Sequence, residues 1–118
     1  MRWGLLLTAV LLLGCAGLPP LTPSKLNANP DQYDGKAIVV HGWLVSEFEN
    51  VGIWDSKDAF DSGKPQNCVS YRGKDLGRHF SKAVILKGIF RRNINPPDVF
   101  NNGDYNNSGL EVEGSVAR

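Results

Sequence analysis

The chain has 118 residues, thirteen Lys and Arg against twelve Asp and Glu, and a formal net charge of +1. A charge this close to balance lacks the basic footprint on which nucleic-acid binding usually depends. Its length allows one small domain and is too short for two well-filled cores.

The first residues are Met1-Arg2, a short start with one positive side chain, followed by the apolar run Trp3 to Gly14. A charged start and a short hydrophobic run form the physical signature of a secretion signal. The run is too short for a bilayer crossing, which takes roughly 20 apolar residues. It ends in Leu12-Leu13-Gly14-Cys15, which resembles the lipobox of bacterial lipoproteins. Small Gly14 and apolar Leu12 match that pattern, and Leu13 is a less typical middle residue. The resemblance implies a signal peptide over residues 1–14, cleavage before Cys15 and a diacylglyceryl group on its thiol. It also implies acylation of the new amino group. Ala16 lacks the aspartate that retains such proteins in the inner membrane, so the implied location is the periplasmic face of the outer membrane. Loss of Arg2 with the signal leaves twelve basic and twelve acidic side chains. With Cys15 committed to lipid, only Cys68 remains, and no internal disulfide can form. Cys68 is expected to be a buried, inert thiol.

Residues 15–29 read as the lipidated N-terminus and a flexible tether, because the prolines of GLPPLTPSKLNAN interrupt regular pairing. Residues 30–118 remain for the folded domain. PDQYDG, Pro30 to Gly35, is an entry turn. Lys36 to Ser46, rich in β-branched residues, predicts a first strand with Ala37, Val39, His41, Trp43 and Val45 on one face. Val51 to Trp54 is a second strand. DSKDAFDSGKPQ reads as a loop, and Cys68 to Tyr71 as a third strand. A short helix or turn is expected over Asp75 to Phe80. Ala83 to Arg91 is a fourth strand. NINPPDVFNNGDYNNSG, with Pro96-Pro97, is a long polar excursion, and Leu110 to Val116 closes as a fifth strand.

Three strands, a short helical crossing between strands three and four, then two more strands is the order of a mainly β, five-stranded Greek-key barrel. Gly42 in HGWL and Gly88 in KGIF fall inside strong strands, where a small barrel must coil tightly. Asn29-Pro30, Tyr33 to Lys36, Val39 to Gly42, Gly52 to Asp55 and Ala83 to Gly88 together resemble small exported bacterial OB-fold proteins.

The candidate ligand-binding residues are Trp54, Tyr71, Arg72 and His41. OB-folds often bind through strands two and three and the adjoining loops. On those strands Trp54 and Tyr71 either point outward, where they could stack on a base, a sugar or a partner's ring, or fill the barrel. Arg72 and the pair Arg91-Arg92 offer local positive charge or ordinary solvated strand ends. His41 is either a general base facing an acid such as Asp55 or Glu47, or a packed histidine. His79 is expected to decorate the helical crossing, and two histidines alone define no metal centre. Asp55, Asp58 and Asp61 lack the glycine and distal glutamate of a calcium loop. No catalytic residue, metal or cofactor is expected. The expected function is therefore a non-enzymatic envelope lipoprotein, held to the membrane through Cys15, that binds a protein or cell-wall component. The alternatives are a small periplasmic hydrolase or metal-dependent enzyme using His41, and an OB-type binder of single-stranded nucleic acid. Export and balanced charge count against nucleic acid.

Overall fold

The structure, a computed structural model, describes residues 20–47, 50–77, 79–95 and 107–113. The lipobox resemblance, Phe48-Glu49, the Pro96-Pro97 loop and residues 114–118, which include the end of the expected last strand, lie outside the described residues.

Five strands form a closed barrel: β1 (Ala37–Glu47), β2 (Asn50–Trp54), β3 (Cys68–Arg72), β4 (Phe80–Arg91) and β5 (Gly109–Val112). Around the barrel the order is β1-β2-β3-β5-β4. All neighbours are antiparallel except β3 and β5, which run parallel with Tyr71 opposite Leu110. This is the topology of an OB-fold.

β1 is long because it serves two neighbours. Ala37 to Ser46 pair with β4, and Trp43 to Glu47 also pair with β2. The period-2 alternation of a strand then separates two faces. Val40 and Leu44 of β1 point inward with Ile53, Val69, Tyr71, Val84, Leu86, Phe90 and Leu110, forming the barrel core. Gly42 occupies an inward position where a Cβ would lie 2.6 Å from Ile53 Cγ2 and 2.6 Å from the Trp54 carbonyl oxygen. Only a residue without a side chain lets β1 and β2 close there.

Residues 20–29 of the segment expected as a tether belong to the fold. Leu21 forms a parallel bridge with Val40, and its carbonyl accepts the His41 N–H at 2.8 Å. Helix α1 (Pro23–Ala28) follows, with proline at its first position, where a missing N–H costs nothing. Its Leu26 is fully buried in the barrel core. Asn27 fastens the helix, donating to the carbonyls of Gln66 (3.0 Å) and Cys68 (2.8 Å) and accepting from Ser108 Oγ at 2.6 Å. Apolar burial and a satisfied amide outweigh the extended preference of the flanking prolines. A single turn, α2 (Pro30–Tyr33), leads into β1.

The helical residues between strands also lie elsewhere than expected. DSKDAFDSG is not a loop but helix α3 (Lys57–Ser62), followed by a 3-10 turn (Pro65–Asn67), both before β3. Ser56 caps α3, its Oγ accepting the Ala59 N–H at 3.1 Å, and Gly63 ends it in the left-handed region at φ 68°. Of the short helix or turn expected over Asp75 to Phe80, the described residues between β3 and β4 form a turn and no helix. There Asp75 Oδ1 accepts the Gly77 N–H at 2.9 Å, and Gly77 has φ 81°. That local turn competes with a helix, and Phe80 is drawn into β4 opposite Ser46.

Because α3 hangs on one cap, Ser56→Ala is expected to cost about 1 kcal/mol. Urea unfolding followed by tryptophan fluorescence would measure it. A loss below about 0.3 kcal/mol would show that the cap does not hold α3 in place.

Candidate functional site

The outward positions of β1 and β4 form the candidate site. Pairing sets His41 opposite Ile85, Trp43 opposite Ala83 and Val39 opposite Lys87. An open groove of about 610 Å³ runs over this face, lined by Thr22, His41, Trp43, Asp55, Lys57, Asp58 and Ile85 among others. Thr22 comes from the N-terminal arm, Asp55 from the end of β2, and Lys57 and Asp58 from α3.

His41 is half-buried, and among the described residues its ring has no hydrogen-bond partner. Asp55 shares the groove, but its Oδ1 accepts the Ser24 N–H at 2.8 Å and so ties α1 to the end of β2. Trp43 donates from Nε1 to Ser81 Oγ at 2.9 Å. Lys57 pairs with Asp61 at 3.4 Å along α3. Val39 and Ile85 stand 45% and 50% exposed, the large hydrophobic side chains left open to solvent among the described residues. The floor is thus apolar, and the rim toward α3 carries Asp55, Lys57 and Asp58.

Trp54 and Tyr71, read as either an outward stacking pair or core side chains, are both buried and do not share one face. Trp54 is 2% exposed and Tyr71 5% exposed. Trp54 points away from the barrel axis but lies under α3, in a second apolar cluster with Val45 and Cys68. Phe60 of α3 meets its ring edge-on, with centroids 5.5 Å apart. Tyr71 points the other way, into the barrel core, and donates its hydroxyl to the Lys74 carbonyl at 2.8 Å. Alternation put the two rings on opposite sides, and α3, unseen in the sequence, covered the outer one.

Arg72 is exposed and donates to Asn95 Oδ1 at 2.8 Å, away from the groove. Arg91 pairs with Glu111 at 3.2 Å and Arg92 with Asp31 at 2.6 Å, so neighbouring acids offset that charge. His79 precedes β4 and Glu47 ends β1. Each is six residues along a strand from the His41–Ile85 level, roughly 20 Å away. Asp55 is therefore the acid of the two proposed for His41 that the fold brings near it. No family model, curated protein or solved structure matches the chain.

Sequence reasoning missed Val39 and Ile85. Each sits in a strongly apolar strand, and the face shows only because no element among the described residues packs over β1 and β4 there.

Burial pushes the Tyr71 phenol above its ordinary value of 10.0, and the nearby Asp75 carboxylate adds to the rise. A raised folded-state value means that the folded chain keeps its proton longer than the unfolded one. The contribution is complete below pH 10 and is lost as pH rises above it. Stability is expected to fall above pH 10, and Tyr71→Phe to flatten that fall. Urea midpoints taken from pH 8 to 11 would show it, and parallel curves for the two proteins would contradict it.

Proposed function

We propose that this chain is a lipid-anchored module of the bacterial cell envelope that works by binding, through the outer face of β1 and β4. The anchor rests on the ordered series Arg2, the apolar run to Gly14, and Leu12-Leu13-Gly14-Cys15. Ala16 favours the periplasmic face of the outer membrane. The observation that carries the binding face is the exposure of Val39 and Ile85 beside the groove. Large apolar side chains left open together on one sheet face mark an interaction surface more often than scattered single ones do. Asp55 supports binding over turnover, since its carboxylate already holds the N-terminal arm. This face replaces strands two and three as the expected contact surface.

The test is twofold. Mature protein from cells should carry acyl mass at Cys15, and Cys15→Ser should move it from the membrane to the soluble periplasmic fraction. Anchored protein with Ile85→Asp should lose a crosslink that wild-type protein gives from this face. Membrane retention of Cys15→Ser without acyl mass would overturn the anchor. An unchanged crosslinking pattern would overturn the face.

A second reading is favoured by one observation: His41, with no described partner for its ring, shares the groove with Asp55. On that reading His41 acts as a general base in a hydrolase. His41→Gln would then abolish turnover of a groove-bound ester or amide and leave folding intact.

A further inference from the structure

We propose that the outer face of β1 and β4 lies against the phospholipid bilayer that holds Cys15. This rests on the lipid-anchor reading and names the partner of the same face.

The length of chain left free carries the proposal. Leu21 is already paired with Val40, and the Lys25 ammonium donates to the Pro20 carbonyl at 3.0 Å. Five steps of chain separate Cys15 from Pro20, the first described residue. At full extension they span about 18 Å. A domain of about ninety residues has a radius of gyration near 12 Å and is roughly 30 Å across. The leash is shorter than the body it holds. The barrel must then rest at the membrane surface, with the region around Leu21 nearest to it.

The direction of the leash selects the face. Leu21 runs parallel to Val40, so Pro20, the first described residue, lies toward the Val39 end of β1. Thr22, the next residue, lines the groove. The surface brought closest to the lipid is therefore the one on which Val39 and Ile85 stand exposed.

The chemistry of that face suits a bilayer boundary. Val39 and Ile85 can enter the acyl margin. Trp43, with its Nε1–H bonded and its ring half-buried, belongs to the side-chain type that settles at headgroup depth. Lys87 sits opposite Val39 and can reach lipid phosphates while its stem follows the apolar surface. So small a patch would bind membranes weakly on a free protein. Tethering converts its docking to an intramolecular event at an effective concentration in the millimolar range, where weak contacts suffice.

The experiment uses the full chain, processed in cells and reconstituted into vesicles of phosphatidylethanolamine and phosphatidylglycerol. A photoreactive residue replaces Val39, Ile85 or, as control, Lys74 on the loop at the opposite end of β1. Intact mass first reads the acyl chains on Cys15. The expected result is a phospholipid adduct at Val39 and Ile85 at least about five-fold above that at Lys74. With brominated lipid, Trp43 fluorescence should be quenched, and the Val39→Asp, Ile85→Asp double variant should relieve that quenching while remaining acylated. Acylated protein whose Val39 and Ile85 adducts only equal that of Lys74, or that crosslinks to a second copy or another protein instead, overturns the docking and leaves the anchor standing. Absence of acyl mass on Cys15 overturns both.

Discussion

Leu26→Ala is expected to destabilise the barrel by about 3 kcal/mol. Leu26 is fully buried, and it reaches the core from outside the sheet, as the one residue of α1 in the barrel's buried cluster. Removing its branched end forfeits the transfer of the lost methyls and leaves a hole lined by strand side chains that cannot close on it. Urea unfolding of the folded domain measures the loss. The same variant has a second readout. With its plug gone, α1 is held by the polar contacts of Asn27 and by the Ser24 N–H on Asp55, and hydrogen exchange at Leu26 and the Asn29 amide should rise well before global unfolding. A loss below about 1 kcal/mol, with no local exchange, would make the arm an ornament. The usable leash would then lengthen by some ten residues, and the geometry that presses β1 and β4 against lipid would be lost with it.

Gly88→Val is expected to cost about 3 kcal/mol, with Gly88→Ala costing less in the same direction. Gly88 stands on β4 between Ile38 of β1 and Val112 of β5, at an inward position. A Cβ there would collide with the Glu111 carbonyl oxygen and lie 3.1 Å from Leu110 Cγ. The first neighbour is backbone, so it cannot swing aside as a side chain would. Relief requires β5 to move off β4, and β5 also carries the parallel pairing with β3 that closes the barrel. The penalty should therefore appear as lost cooperativity in β3 and β5 as well as a lower urea midpoint. If Gly88→Val kept the wild-type midpoint, the crossing of β4 and β5 would be looser than these contacts indicate.

The strands were legible because each is a dense run of β-branched and aromatic residues bounded by turn-formers. The interior glycines were legible as sites of tight coiling for the same reason, since a strand this apolar has no other use for a residue without a side chain. The helices were not. α1 offers one buried leucine among prolines and polar residues, too little for a 3.6-residue period to emerge, and its stability comes from the barrel end it fills. α3 hides in a polar, turn-like composition, and its Ser56 cap and Gly63 terminus were the available signals. The order of strands predicted a helix after β3 because that is where the resemblance places one. Gly77 and the Asp75 turn decide otherwise. The site followed the same logic. Period-2 alternation says that His41, Trp43 and Val39 share a face, but not whether another element covers it. Trp54 also points outward and α3 hides it, whereas nothing described covers Ile85. Asp55 lines the same groove as His41 through strand pairing and a contact with the arm, relations between residues far apart in the chain.

The clamp between Asn27 and Ser108 spans 81 residues. Synthesis delivers the arm first, yet its amide waits for Gln66, Cys68 and finally Ser108 before all its bonds can form. β5 likewise must reach β3 and β4 across long loops. Contacts so distant in the chain are slow to form. The arm is therefore made first and seated last. Until β5 arrives, a growing chain shows bare strand edges and an unseated Leu26 at the same time, which is the period when such chains aggregate and when chaperones have most to hold.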